Sequence, residues 1–244
     1  MVAGPNGSGK TTITDELSKK YPMGYILNPD RIESHIKKNR FFDLSLYKLK
    51  VNQKQFIKAI FFSLKKGVLL KYKSKKSLRN IRFENNKIYF NQVKIDSYIA
   101  SFLTEYLRFL LIRSKQSFTL ETVMSHESKI RDLKQAKVRG FRNYLYFVAT
   151  LSPEINESRV KARVTKGGHP VSARKIKSRY YRSLNLLFKA SQQAEKVYFI
   201  DNSSTKPELI AQEINKVVEV FSDDIPGWFA KYYFEKANLK SANN

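Results

Sequence analysis

Gly4-Pro5-Asn6-Gly7-Ser8-Gly9-Lys10-Thr11 satisfies the pattern G-x-x-x-x-G-K-S/T in full, and a helical pattern begins directly behind it. A loop of this kind grips phosphate. Its backbone N–H groups converge on phosphate oxygens, the helix N-terminus adds partial positive charge, the lysine reaches the outer phosphates and the Thr11 hydroxyl ligates Mg²⁺. Gly4, Pro5, Asn6, Gly7, Ser8, Gly9, Lys10, Thr11 and Thr12 are therefore expected to bind a nucleoside triphosphate with Mg²⁺. Transfer of its terminal phosphoryl group needs little covalent help, because charge neutralisation and in-line positioning lower most of the barrier. The further groups to seek are cations and one carboxylate.

Arg159 and Arg163 lie four apart behind Pro153, so on a helix both project from one face and could close over the phosphates. One such arginine contributes roughly 10³-fold or more in related enzymes; a solvated basic face is the alternative. Asp30, behind the predicted strand Gly24 to Leu27, fits a general base that accepts the acceptor's hydroxyl proton. It fits equally well a first-turn acid held by the helix dipole. Glu121 ends a predicted buried strand and suits an acceptor contact, a water-coordinated Mg²⁺ or a structural salt bridge. His169, between Gly167-Gly168 and Pro170, suits the ordering of a turn better than catalysis. His35 and His126 have no evident partners, and three scattered histidines without cysteine give no zinc site.

The elements that must carry these groups alternate. Lys10 to Lys19 is a helix, Gly24 to Leu27 a strand, and Asn28-Pro29 the cap and first position of the next helix. Phe56, Ile57, Ile60, Phe61 and Leu64 follow helical spacing. Ile81 to Phe83 and Lys87 to Phe90 flank Glu84-Asn85-Asn86 as a hairpin, inside an insertion at about 67–93. Asp96 caps a helix through Leu110, Phe118 to Leu120 is a strand, and a helix from about Ser128 stops at Gly140. Tyr144 to Ala149 is a strand handing over to Ser152-Pro153 and a helix ending at Gly167-Gly168. Ser172 starts a long helix to about Ala194, followed by the strand Val197 to Ile200 and the turn Asp201-Asn202-Ser203. Leu209, Ile210, Ile214 and Val217, then Trp228, Phe229 and Tyr232, read as two closing helices, a helical extension at about 206–244. Strands separated by helices of this length imply an α/β fold, a P-loop NTPase whose parallel sheet is covered by helices on both faces. Only Met1-Val2-Ala3 precede Gly4, so the strand delivering the loop is either cut short or starts ahead of the sequence.

The 244 residues fit one domain, 1–244, with a small basic insertion. Cysteine is absent, no apolar run approaches the ~20 residues of a membrane span, and the N-terminus lacks a secretory pattern. These features point to the cytoplasm. Lys and Arg number 46 against 21 Asp and Glu, a net charge of +25; Leu44 to Phe83 holds twelve of those cations and no acid. Clustered cations attract phosphates. Nucleic acid stays open as a partner on that ground, against a general lysine richness that solvates every face.

Several segments taken together resemble one family. Gly4 to Thr12, Asn28-Pro29-Asp30, Phe118 to Ser125 with its E-T-x-x-S, Arg159 to His169, Arg179 to Leu184 and Asp201-Asn202-Ser203 resemble, in that order, the zeta toxin family of P-loop kinases. The loop alone also resembles that of ABC transporter ATPases, but no L-S-G-G-Q-like signature follows. Zeta toxins phosphorylate the amino sugar of UDP-N-acetylglucosamine with ATP and Mg²⁺. The resemblance thus implies a kinase acting on an alcohol group of UDP-N-acetylglucosamine or a related nucleotide-linked acceptor. It implies that Lys10 and Thr11 hold phosphates and metal, Asp30 is the base, Glu121 and Thr122 bind the acceptor, and Arg159 and Arg163 neutralise the transferring phosphate. An antitoxin is the protein partner it implies. Two alternatives remain: a polynucleotide or RNA kinase drawing on the basic block, and an ATP-gated module that binds a protein without catalysis.

Overall fold

A computed structural model of the chain describes residues 1–65, 69 and 80–242. The strands are β1 (Val2–Ala3), β2 (Tyr25–Leu27), β3 (Phe41–Asp43), β4 (Arg82–Glu84), β5 (Lys87–Tyr89), β6 (Phe118–Thr122), β7 (Tyr144–Ala149), β8 (Lys196–Asp201), β9 (Glu208–Ile214) and β10 (Val217–Val220). The helices are α1 (Lys10–Lys20), α2 (Pro29–Asn39), α3 (Gln53–Lys65), α4 (Ser97–Arg113), α5 (Ser128–Val138), α6 (Pro153–Thr165) and α7 (Ala173–Ser191). Behind β10, α8 (Gly227–Phe229) runs through a π-helical turn (Ala230–Phe234) into α9 (Glu235–Ala242). None of the described helices is long and apolar enough to cross a membrane. The chain forms two compact units, Met1–Pro22 with Glu121–Asn244, and Met23–Leu120.

In the first unit β1 is parallel to the end of β6 (Val2 opposite Glu121) and to β7 (Val2 opposite Tyr146), and β7 is parallel to β8. Two residues suffice for β1 because it pairs on both sides and Val2 and Ala3 are fully buried. The core on this sheet joins Phe147 and Phe199 to Tyr180, Leu184 and Leu187 of α7 and to Trp228, Phe229 and Tyr233 at the C-terminal end. The strand order is β10-β9-β8-β7-β1-β6.

The segment at 208–220, expected as a helix, is instead an antiparallel hairpin added to β8, so the sheet is mixed. Leu209, Ile210, Ile214 and Val217 satisfy helical spacing, which hid the strands. The overlooked signal is Asn215-Lys216, both in the left-handed region (φ 51 and 71), followed by the alternating Val218-Glu219-Val220; two positive-φ residues make the turn that matches strand twist. The second expected closing helix is present. Glu213 of β9, only 2% exposed, is held by Tyr233 Oη at 2.6 Å and Lys216 Nζ at 2.7 Å. Burial and that carboxylate push the Tyr233 phenol well above its ordinary pKa, so it stays a donor. Tyr233→Phe leaves one buried carboxylate oxygen unpaired and should lower unfolding stability by about 2 kcal/mol, read as a lower urea midpoint.

In the second unit β2 runs parallel to Phe118–Leu120 of β6. Asn28 caps α2 as its sequence indicates, Oδ1 accepting from the Asp30 and Arg31 N–H groups at 2.8 and 3.2 Å, and Asp96 caps α4 in the same way. α2 packs on α4, and Phe56 of α3 meets Phe83, Phe102 and Tyr106. The expected hairpin is β4 and β5, turned by Asn85 and Asn86 at φ 48 and 62. β5 also pairs with β3, a strand not foreseen, giving a three-stranded antiparallel sheet. Most of the basic stretch 66–79 lies outside the described residues.

Candidate functional site

β1 ends at Gly4 and the loop Gly4 to Gly9 leads into α1, whose first residue is Lys10. Two glycines are required by their surroundings. Gly4 sits at φ 147, where an added Cβ would run into Val148 O, and Gly9 sits at φ 90 against the Asn202 side chain. At those points neighbouring backbone and side chain approach as closely as only glycine allows. α1 carries no acid of its own in its first turn, and its N-terminal partial charge favours an anion at the loop.

Around this loop the first unit gathers Lys10, Thr11 and Glu121. Lys10 is 9% exposed and its Nζ donates to Pro5 O at 2.7 Å, which folds the side chain over its own loop. Glu121, on β6 next to β1, accepts from Thr11 Oγ1 at 2.6 Å and from Thr14 Oγ1 at 3.4 Å. A carboxylate and a hydroxyl at the edge of a phosphate loop are hard oxygen donors of the kind Mg²⁺ takes. The donor set therefore fits the cation. Thr122 accepts from the Met124 N–H at 3.2 Å, in a turn where Met124 has φ 51.

The loop is braced from three directions. Asn202, past β8, donates from Nδ2 to Ser8 O at 2.8 Å and from its backbone N–H to Ala149 O at 2.8 Å. The Asn156 backbone lies against Gly7, and Asn156 Oδ1 accepts from Thr150 Oγ1 at 2.9 Å. Thr150 O in turn accepts from Tyr180 Oη at 2.6 Å, a phenol whose pKa burial raises. Arg179 of α7 reaches Asn6 Oδ1 at 3.4 Å. Asn202 and Arg179 belong to the segments that carry the family resemblance, yet spacing assigned them no role; only tertiary packing brings residues 173 and 194 positions away onto Asn6 and Ser8.

Arg159 and Arg163 share α6 but have different surroundings. The Arg159 guanidinium donates to three backbone carbonyls, Asn202 O at 2.5 Å, Ser203 O at 3.3 Å and Ser204 O at 3.0 Å. Arg163 donates to the His169 backbone carbonyl at 3.1 Å and lies against Gly168. Asp30 is in the second unit, exposed, in the first turn of α2. His35 meets Asn39 and His126 meets Ser128, and among the described residues no cluster of His, Cys, Asp and Glu could hold a metal by itself.

No protein-family model matches the chain. An uncharacterized protein of Haemophilus influenzae is 38% identical over 69 residues, 28% of this chain and 49% of that protein. Among solved structures, the chain is similar to the AvrRxo1-ORF1:AvrRxo1-ORF2 complex, solved with sulphate ions and with ATP. The TM-score is 0.54 and the identity 16%, over 90% of this chain and 59% of that one. A structure from the PezAT chromosomal toxin–antitoxin system of Streptococcus pneumoniae is similar with TM-score 0.51 and 13% identity, over 99% of this chain and 82% of that one. The chain thus spans about half of the Haemophilus protein and 59% of the AvrRxo1 chain. These likenesses establish the fold: a mostly parallel sheet flanked by helices.

Proposed function

We propose that this chain is an ATP- and Mg²⁺-dependent P-loop kinase of zeta-toxin type that phosphorylates a hydroxyl of UDP-N-acetylglucosamine or a related nucleotide-linked acceptor. The observation that carries the reading is the convergence of Lys10, Thr11 and Glu121 on one glycine-shaped loop at a helix N-terminus. A similar fold solved with ATP supports the choice of nucleotide. In the proposed reaction the acceptor oxygen bonds to the γ-phosphorus, the bond to the β-phosphate oxygen breaks, ADP leaves, and the acceptor's proton passes to the Asp30 carboxylate. Lys10 and the loop N–H groups hold the phosphates, and Arg159 and Arg163 are the cations proposed to neutralise the charge that develops, with Arg179, which reaches Asn6 of the loop, as a third. Mg²⁺, when bound, would spread that charge further; Thr11 and Glu121 would hold it, while Thr122 faces the acceptor. Because the PezAT neighbour belongs to a toxin–antitoxin system, an antitoxin is the protein partner we propose.

Glu121→Gln keeps the acceptor oxygen for Thr11 and removes the charge, so the Mg²⁺ concentration for half-maximal transfer should rise about 10–100-fold. An unchanged Mg²⁺ requirement assigns Glu121 to the acceptor or to structure.

A polynucleotide kinase is the second reading, because the second unit (23–120) holds 21 Lys and Arg against 6 Asp and Glu, 21 − 6 = +15. Labelled ATP with Mg²⁺, offered UDP-N-acetylglucosamine beside single-stranded RNA, separates the two. Label on the sugar nucleotide is the expected result. Label on RNA selects the second reading, and bound ATP with no labelled acceptor selects an ATP-gated binding module.

A further inference from the structure

The terminal hairpin leaves the sheet of the first unit with a free edge: among the described residues β10 pairs with β9 alone. The Asn215-Lys216 turn makes Ile214 and Val217 the closing pair of the ladder, and Phe221 N–H donates to Ile210 O at 2.9 Å. Hydrogen-bonding direction alternates along an antiparallel strand, so Val217, Glu219 and Phe221 turn their backbone groups to β9 while Val218 and Val220 turn theirs outward. Outward N–H and C=O groups are a template for another strand. Lysine, proline or a bulge commonly blunts such an edge, but β10 reads Val-Val-Glu-Val and the adjacent Lys216 is drawn to Glu213 at 2.7 Å. Val217, Phe221 and Val220, 71%, 48% and 39% exposed, keep apolar surface beside the edge.

Charge selects the strand that fits. In a chain of net charge +25, residues 208–224 hold five Asp and Glu against one Lys. Glu213 and Lys216 satisfy each other, and Glu208, Glu219, Asp223 and Asp224 stand exposed around β10. We propose that β10 is a docking edge for an extended, lysine- or arginine-bearing segment of a partner protein, which adds to the sheet as a further strand. Apolar residues of that segment stand beside Val218 and Val220. Its cations fall on the opposite face, where their methylene stems cover Val217 and Phe221 and their charged ends reach Glu219. A second copy of this chain fits worse, because the two-fold register that joins Val218 of one copy to Val220 of the other sets two Glu219 carboxylates directly opposite, and like charges so placed are destabilising. The proposal is independent of the kinase reading, since β10 carries none of the residues assigned to transfer.

Fluorescence anisotropy with the whole chain tests the edge, using a labelled peptide of alternating Lys and Val as the probe and the same peptide N-methylated at alternate residues as its control. N-methylation keeps the charge and removes backbone donors. Val220→Pro deletes an outward N–H that β9 does not use, a change an edge strand accommodates, and Glu219→Lys reverses the charge; each variant is first checked for a wild-type melting curve. The expected result is saturable binding of the Lys-Val peptide, weakened about tenfold or more by N-methylation, by Val220→Pro and by Glu219→Lys. In hydrogen exchange the Lys-Val peptide should protect the Val218 and Val220 amides, whereas a Glu-Val peptide, drawn to the basic surface elsewhere, should leave them unprotected. If Val220→Pro melts early, N-methylation and amide protection decide alone. Equal binding of the methylated and unmethylated peptides with no amide protection reduces the contact to charge and overturns the proposal, as does the absence of binding or equal protection by the Glu-Val peptide. Protection of the same amides that rises with chain concentration in the absence of peptide assigns the edge to a second copy and overturns it as well.

Discussion

Lys10→Ala is expected to cut phosphate transfer by about 10²–10³-fold in kcat, the cost of losing one preorganised charge at a developing negative centre. The residue starts α1 at the loop's end, is nearly buried, and turns its ammonium back onto Pro5 O. The competing reading is structural: Lys10 props the loop through Pro5 O. That reading predicts a lower melting temperature without ligand and a normal rate at saturating ATP. The catalytic reading predicts the reverse, a melting temperature that barely moves and a collapsed rate. A variant with the wild-type rate at saturating ATP would remove Lys10 from the chemistry.

Asp30→Asn should lower kcat by about 10²–10⁴-fold, the usual contribution of a general base, while ATP affinity stays within about twofold. The substitution is nearly isosteric, and the cap of α2 survives it, since Asn28 Oδ1 receives the backbone N–H of residue 30 and not its side chain. If Asp30 serves only the helix dipole, the loss appears instead as about 0.3–1 kcal/mol of stability with no change in rate. The two measurements move in opposite directions under the two readings, so one variant decides between them. A fully active Asp30→Asn enzyme would exclude the base assignment.

Elements set by local chemistry are legible in the sequence. Asn28-Pro29 and Asp96 start helices where their capping side chains require, and Asn85-Asn86 turns the hairpin where left-handed backbone is tolerated. Elements set by pairing are not. Phe41–Asp43 is a strand because Lys87–Tyr89 lies beside it, and nothing in those three residues announces that partner. The 208–220 hairpin carries apolar residues at helical spacing, and only the Asn215-Lys216 turn argues for strands. At the site, the glycine loop with Lys10 and Thr11 could be read from type and spacing. Arg159 could be placed on a helix face, but whether its edge meets phosphate or carbonyls depends on the Asn202 segment, 43 residues on. Spacing fixes direction from an axis; it does not fix what lies there.

The register of β1 has a consequence for biosynthesis. Val2 pairs with Glu121 and Tyr146, partners 119 and 144 residues further along the chain. At ~5–20 residues per second, the strand waits roughly 6–24 s for the first partner and longer for the second. The second unit, Met23–Leu120, is continuous in sequence and lies wholly within that interval, so its segments leave the ribosome before the phosphate loop has a frame to hold it. Translation stalled before Tyr146 would therefore yield nascent chains that cannot retain nucleotide, and the site would form only once synthesis had passed both partner strands.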